Sequence, residues 1–268
     1  MAGPLLLVGC GKMGGALLEG WLARGVPPDE IKVIEPAFAD AAQRHGVAVV
    51  TAAAALPADF APEVIVLAVK PQVMEQATAP LARFARPGAV VLSIAAGKTI
   101  AGFAARFGAG AAIVRAMPNT PAAVGRGITV ACANAAVSAG LRQRCDTLLA
   151  AVGEVAWIAD EALLDAVTAV SGSGPAYVFL LIECLAEAAV AAGLGPDLAT
   201  RLARATVCGA GELAYRSPEP AAALRRNVTS PGGTTQAALD ILMAPDGLQP
   251  LLVKAVLSAM RRSRELAG

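Results

Sequence analysis

The chain has 268 residues and an almost balanced charge, which excludes several classes of partner. Lysine and arginine number 22 against 21 acidic residues, so the net charge of +1 provides no electrostatic footprint for nucleic acid or an anionic membrane. The five cysteines are scattered without C-x-x-C spacing, which indicates reduced thiols in a cytoplasmic protein and no metal site. The length allows one large domain or two moderate ones.

Short apolar runs alternate with helical patterns over the first 160 residues. Strands are expected at residues 5–8, 31–34, 64–69, 89–94 and 112–116, with weaker ones at 128–133 and 155–158. Continuous apolar strands separated by helices are typical of a mostly parallel sheet covered on both faces. We therefore predict a doubly wound, Rossmann-like α/β domain over residues 1–160.

A glycine-rich turn follows the first expected strand. Gly9, Gly11 and Gly14 form the pattern G-x-G-x-x-G, in which the glycines permit a tight turn, approach of a pyrophosphate and close packing of a helix. About 20 residues further on, Glu35 ends the second expected strand, where a carboxylate can accept hydrogen bonds from a ribose. It would repel a 2′-phosphate by on the order of 4 kcal/mol per unit charge, which favours NADH over NADPH. The alternative is that Pro36 turns Glu35 towards solvent.

Other segments follow the strands at the same predicted edge of the sheet. They are 70–71, 95–97 and 117–120, and we expect them to line one crevice with the glycine turn, because ligands of such sheets bind beyond the carboxyl ends of the strands. Lys70 either contacts a phosphate or ribose, or lies in solvent beside a backbone turn fixed by Pro71.

The pattern changes after residue 160, where no further strand is indicated. Helices are expected at 161–170, 175–192, 197–216, 219–226, 234–243 and 247–266, which predicts an all-α second domain over residues 161–268. The stretch 176–194 carries Glu183 and Glu187 one turn apart, which argues against a membrane helix. Because it is otherwise apolar nearly all round, we expect this domain to build a homodimer.

Two segments of this second domain are rich in small and hydroxyl residues. Residues 171–177 place serines, glycines and Pro175 where a helix is expected to start, and residues 227–236 do so again. A helix N-terminus with such residues suits a small carboxylate, since its backbone N–H groups have no intrahelical acceptor. The one histidine, His45, is expected at a surface helix end far from these segments. Chemistry without a histidine acid suits a substrate that is already activated, such as a protonated cyclic imine.

With these motifs the chain resembles the Δ1-pyrroline-5-carboxylate reductases. The resemblance extends over nearly the whole length through VGCGKMG at 8–14, AVKP at 68–71, SIAAG at 93–97, RAMPNTPA at 115–122, SGSGPAYVF at 171–179 and TSPGGTT at 229–235. It implies reduction of 1-pyrroline-5-carboxylate to L-proline with NADH or NADPH. It also implies a dimer of interleaved helical domains, often assembled into a decamer.

The resemblance also assigns residues to roles. It implies that Ser230, Gly233 and Thr234 bind the substrate carboxylate and that Thr235 also contacts the substrate, its hydroxyl near the ring nitrogen as the catalytic group. Pro118 and Asn119 would flank the nicotinamide. The remaining implied cofactor contacts, beside the three glycines and Glu35, are Lys12, Met13, Ala68, Val69, Lys70, Pro71, Ser93, Ala95, Ala96 and Gly97.

Three alternatives stay open at this point. A β-hydroxyacid or 6-phosphogluconate-type dehydrogenase is disfavoured, because residues 171–192 contain no lysine to act as its base. A nicotinamide-binding sensor would not need a second ligand loop. A reductase of another cyclic imine acid would carry the same carboxylate loop.

Overall fold

A computed structural model describes residues 3–36 and 46–267, which form two compact units. The first unit comprises Met1–Gly172 with Met260–Gly268, and the second comprises Ser173–Ala259. The segment Glu161–Gly172 therefore packs with the first unit, whereas the division expected from the sequence at 160/161 stays a prediction. His45 lies outside the described residues.

The first unit is built on an eight-stranded sheet. Its strands are β1 (Leu5–Val8), β2 (Ile31–Ile34), β3 (Ala48–Val50), β4 (Val64–Leu67), β5 (Val90–Ser93), β6 (Ala112–Met117), β7 (Gly127–Ala133) and β8 (Gly153–Trp157). Their order is β3-β2-β1-β4-β5-β6-β7-β8, and every pair is parallel except β6 with β7. The predicted parallel-rich α/β sheet is confirmed.

Strand β3 is absent from the sequence prediction. It is three residues long, lies at the edge of the sheet and is only half-buried or exposed. A run this short and this exposed lacks the apolar signal that marks the central strands.

Both faces of the sheet are covered by apolar side chains. Leu5 and Leu7 of β1 belong to the apolar cluster on one face, which includes Trp21, and Leu6 belongs to the cluster on the other face, which includes Phe103. This alternation explains why β1 reads as a continuous apolar run. The Trp21 indole N–H donates to the Leu148 carbonyl over 2.9 Å, so its one polar atom is satisfied inside the core.

Among its described residues, the α-helices of the first unit are α1 (Lys12–Ala23), α2 (Met74–Thr78), α3 (Ile100–Phe107), α4 (Ala139–Leu149) and α5 (Leu164–Val167), and a π-helical turn follows over Thr168–Gly172. Helix α3 starts at the N-cap Thr99, whose hydroxyl accepts a hydrogen bond from Gly102 N. Helix α1 ends before Gly25, which adopts a φ of +83°.

The second unit is helical, as predicted. Its helices are α6 (Gly174–Ala191), α7 (Pro196–Arg216), α8 (Ala221–Asn227), α9 (Thr234–Leu242) and α10 (Leu248–Ala267), the last of which ends in the first unit. Helix α6 starts at Gly174 with Ser173 as its N-cap and Pro175 in its first turn, so the expected helix start within residues 171–177 is present. It follows directly on the π-helical turn at Thr168–Gly172. The hydroxyls of Thr168 and Ser171 donate to the carbonyls of the residues four positions earlier, in the helical turns that precede α6.

The second unit has almost no interior of its own. Among its residues, all of which the structure describes, the buried hydrophobic side chains are Ala199 and Ala203. Phe179 and Leu180 of α6 are 59% and 57% exposed. By length and composition alone, the stretch Glu161–Ala191 could cross a membrane. This is weak evidence for a membrane span, because core helices of ordinary globular proteins share these properties.

Candidate functional site

The three glycines of the first turn meet three different steric needs. Gly9 adopts a φ of +92°, which favours glycine. A Cβ on Gly14 would overlap the Gly9 carbonyl oxygen, so helix α1 packs on the turn only with glycine there. By contrast, no described atom lies within 4 Å of a Cβ built on Gly11. The open space at Gly11 is where a pyrophosphate would approach the backbone.

Helix α1 begins directly at this open space. Its N-cap is Gly11, and no side chain among the described residues caps the helix start. The first N–H groups of an α-helix have no intrahelical acceptor and carry a partial positive charge, which suits a phosphate. Lys12 is exposed and Met13 is half-buried in this first turn. The residues present therefore fit a dinucleotide pyrophosphate.

Glu35 faces the glycine turn. Its Oε2 accepts a hydrogen bond from the backbone N–H of Cys10 over 2.8 Å, and its own N–H donates to Val50 O of β3. The alternative that Pro36 turns this carboxylate to solvent is thereby excluded. Burial, together with the charge of Glu35, raises the pKa of the Cys10 thiol. In dinucleotide-binding folds of this kind, a carboxylate at the end of the second strand can accept hydrogen bonds from the cofactor's ribose.

The segment after β4 contacts the glycine turn. Ala68 N donates to Val8 O over 2.8 Å, and the Val69 side chain lies against Gly9. Lys70 is exposed, and its carbonyl accepts a hydrogen bond from Val73 N as Pro71 starts a 3-10 turn. The backbone turn expected at Lys70 and Pro71 is therefore present, and the Lys70 side chain lies in solvent.

The segment after β5 is shaped by Ser93. This residue is fully buried, and its hydroxyl accepts a hydrogen bond from Ala95 N over 3.3 Å. Ala96 is exposed, and Gly97 follows with a φ of +70°. The Ser93 hydroxyl thus bends the chain at the edge where the cofactor is expected, and Ala95–Gly97 form the resulting turn.

The segment after β6 is held by Asn119. Its Oδ1 accepts a hydrogen bond from Ile128 N over 2.9 Å. The preceding residue, Pro118, is buried. The sequence did not reveal an ion pair beside this segment, in which Nη1 of the buried Arg115 lies 3.0 Å from Oε1 of the half-buried Glu161. A lone arginine inside an apolar strand was the available signal, because a buried charge requires a partner.

The loop 229–235 of the second unit forms a tight turn. Gly233 N donates to Ser230 O over 3.0 Å, and Gly232 adopts a φ of +69°, as expected of a Pro-Gly turn. A Cβ on Gly233 would lie 2.8 Å from the Ser230 hydroxyl, so glycine lets that hydroxyl approach the helix start. The Thr229 hydroxyl, in contrast, donates to Arg225 O and closes helix α8.

Helix α9 starts from this loop without a side-chain cap among the described residues. Its first residues are Thr234, which is exposed, and Thr235, which is half-buried. The backbone N–H groups of this first turn have no intrahelical acceptor. The loop therefore offers hydroxyls and N–H donors to a small anion.

These features together define a class of protein. The first unit has a glycine turn and a carboxylate at the carboxyl edge of a mostly parallel sheet, and the second unit has a hydroxyl-rich loop at the start of a helix. This combination is that of an NAD(P)-dependent oxidoreductase. No cluster of three or more metal-ligating side chains occurs in residues 3–36 and 46–267.

Comparison with known proteins supports and narrows this class. The family described as pyrroline-5-carboxylate reductase dimerisation matches residues 161–266, and that described as NADP oxidoreductase coenzyme F420-dependent matches residues 5–97. A pyrroline-5-carboxylate reductase of Pseudomonas aeruginosa is 42% identical over 266 residues, covering 98% of this chain and 96% of that protein. The chain belongs to the pyrroline-5-carboxylate reductase family.

Solved structures agree with this assignment. A pyrroline-5-carboxylate reductase from Coxiella burnetii superposes with a TM-score of 0.91 at 34% identity, covering 100% of both chains. The Plasmodium falciparum pyrroline carboxylate reductase, determined with NADP bound, gives 0.82 at 28% identity and covers 99% of this chain and 98% of its own.

Proposed function

We propose that this chain reduces 1-pyrroline-5-carboxylate to L-proline with NADH or NADPH, the last step of proline biosynthesis. The observation that carries the proposal is the 42% identity to a reductase of this name over 98% of the chain, with both ligand-binding loops included. We also propose that the functional division falls at 160/161, where the match to the dimerisation family begins.

The cofactor would be held at the carboxyl edge of the sheet. Bound there, a nicotinamide dinucleotide supplies the hydride. The turn Gly9–Gly14 with Lys12 and Met13 receives the pyrophosphate, and Glu35 receives the ribose, which favours NADH. The remaining edge is formed by the turns after β4, β5 and β6, with Pro118 and Asn119 beside the nicotinamide. The residues of these turns that we propose contact the cofactor are Ala68, Val69, Lys70, Pro71, Ser93, Ala95, Ala96, Gly97, Pro118 and Asn119.

The substrate carboxylate would bind at the start of helix α9. The helix starts at Thr234 with Gly233 as its N-cap, and its first N–H groups have no intrahelical acceptor. The Ser230 hydroxyl lies close to Gly233 and so can join these donors in binding the carboxylate. A carboxylate satisfies these donors and interacts favourably with the helix dipole. Binding it there fixes the orientation of the attached ring.

Thr235 would contact the reacting nitrogen. Its hydroxyl can accept a hydrogen bond from the iminium N–H. When hydride adds to the ring carbon, the C=N electron pair moves to nitrogen, and the same hydroxyl can donate to the new lone pair. The substrate already carries its activating proton, so the chain needs to supply orientation and a hydrogen bond and not a strong acid.

The second unit would be completed by another copy of the chain. Two buried alanines cannot stabilise a helical unit of this size, and α6 exposes large apolar side chains. Within the unit, α9 and α10 also border an apolar groove of about 920 Å³ that includes Leu242, Leu252 and Val256. The family model that matches residues 161–266 describes a dimerisation domain. We propose a homodimer that assembles further into a decamer in the cytoplasm, with no membrane or nucleic-acid partner.

The reaction is tested by product analysis. Purified protein is incubated with 1-pyrroline-5-carboxylate and NADH deuterated at the transferable position, and the product is separated on a chiral column. L-proline with one deuterium at the carbon that was doubly bonded to nitrogen supports the proposal. Recovery of unreduced imine from protein that binds NADH would contradict it.

A further inference from the structure

The ion pair of the buried Arg115 with the half-buried Glu161 joins three parts of the first unit. Arg115 lies in β6, is 6% exposed and is paired in register with Ser93 of β5. Its guanidinium meets Glu161 Oε1 at 3.0 Å, and the same oxygen accepts the N–H of Ile100, the first residue of α3, over 2.8 Å. One carboxylate oxygen therefore ties a central strand and a helix start to the segment beginning at Glu161.

The far end of that segment returns to the same strand. A Cβ on Gly172 would lie 2.7 Å from the Met117 terminal methyl, so Gly172 rests directly on Met117. Between the two ends, the fully buried Leu164 packs in one apolar cluster with Met117. Arg115 and Met117 are two residues apart on one strand and thus face the same side of the sheet. Residues 161–172 are anchored to β6 at both ends.

The strand end fixed in this way leads directly into Pro118 and Asn119, which flank the nicotinamide under the proposed function. Hydride transfer is sensitive to misplacement on the scale of 1 Å, and supporting residues that touch neither reactant can carry that precision. A π-helical turn inside the anchored segment, at Thr168–Gly172, is of a type frequent at functional sites.

We propose that Glu161 is a positioning residue for hydride transfer, acting through Arg115 on the Met117–Asn119 segment. This inference rests on the proposed function. None of the hydrogen bonds and ion pairs described for the Arg115 and Glu161 side chains involves the glycine turn 9–14. Loss of the pair should therefore slow hydride transfer and leave binding of NADH nearly unchanged.

The test is the single-turnover rate of NADH oxidation at saturating 1-pyrroline-5-carboxylate, measured by stopped flow beside the NADH dissociation constant. For Glu161→Ala we expect a rate at least tenfold lower, with the NADH dissociation constant within twofold. The control is Glu75→Ala, which removes the exposed Glu75–Arg106 pair of the same unit and should leave the rate within twofold. A Glu161→Ala rate within twofold of the unaltered protein, or a parallel loss of NADH binding, would overturn the proposal.

A double variant separates positioning from stability. Arg115→Met with Glu161→Gln removes the buried charge together with its partner, so the thermal stability lost in Glu161→Ala should return. We expect its rate to stay at least tenfold low. Recovery of both stability and rate would overturn the positioning role, and this variant alone decides if Glu161→Ala does not fold. The unaltered protein, measured alongside, reports any failure of the proposed reaction separately.

Discussion

The Glu35 carboxylate accepts a hydrogen bond from the backbone N–H of Cys10 over 2.8 Å and thereby joins the end of β2 to the glycine turn. Glu35 consequently has two separable properties. Under the proposed function its charge would oppose a 2′-phosphate, whereas its acceptor oxygen holds the backbone of the glycine turn. A substitution that removes both properties at once cannot tell them apart.

Replacing Glu35 should change cofactor choice. Glu35→Gln keeps an acceptor for Cys10 N and removes the charge, so the ratio of kcat/KM for NADPH to that for NADH should rise at least tenfold. Glu35→Ser should raise the same ratio but weaken both cofactors, because its side chain is too short to hold the turn. Steady-state rates with each cofactor measure this, with Asp29→Asn as a control for loss of an exposed charge. An unchanged ratio in both variants would show that Glu35 does not distinguish the ribose of NADH from the 2′-phosphorylated ribose of NADPH.

The second and third glycines of the turn should respond differently to an added methyl group. Gly14→Ala places a Cβ onto the Gly9 carbonyl, and we expect a loss of about 1–3 kcal/mol in the free energy of unfolding. Gly11→Ala meets open space among the described atoms, so it should fold normally and bind NADH at least tenfold more weakly. Thermal unfolding and NADH titration distinguish the two. Equal effects on stability would contradict these assigned roles.

Removing the Thr235 hydroxyl should impair chemistry without unfolding the protein. For Thr235→Ala we expect kcat/KM for 1-pyrroline-5-carboxylate to fall about 10- to 100-fold, because a hydrogen bond to the reacting nitrogen is lost. Thr200→Ala is the matched control, since the Thr200 hydroxyl donates to Pro196 O within α7. Kinetics of Thr235→Ala that match this control would remove Thr235 from the mechanism.

A charge on the exposed face of α6 should prevent assembly. Phe179 is 59% exposed in the single chain, and Phe179→Glu should shift the protein to monomers and abolish turnover, because a buried carboxylate in an apolar interface is costly. Val73→Glu introduces the same charge at a 46% exposed position of the first unit and should leave assembly unchanged. Sedimentation velocity measures both. A Phe179→Glu protein that sediments like the unaltered one would contradict a dimer interface on α6.

Sequence patterns predicted the architecture well where local chemistry dictates structure. Strands β1 and β2 match the expected bounds because their residues are buried on both faces, and the Pro231-Gly232 turn follows from proline and glycine backbone preferences. The assignment of the loop 229–235 and of the cofactor contacts to their ligands stays a prediction.

Other features depend on contacts that local patterns do not contain. Helix α6 begins at Gly174 as the pattern predicts, but the Ser171 hydroxyl donates to Val167 O in the preceding turn and does not cap the new helix. Arg115 and Glu161 are 46 residues apart in sequence, so only the folded sheet reveals that they pair. Strand β3 pairs at the sheet edge with too little buried surface to mark its position.

The most direct test of the account is the initial rate of NADH and of NADPH oxidation by the purified protein with 1-pyrroline-5-carboxylate. We predict formation of L-proline with both cofactors and a higher kcat/KM with NADH. Faster turnover with NADPH would retain the reaction and contradict the role of Glu35. No turnover with either cofactor, in folded protein that binds the nucleotide, would contradict the central claim.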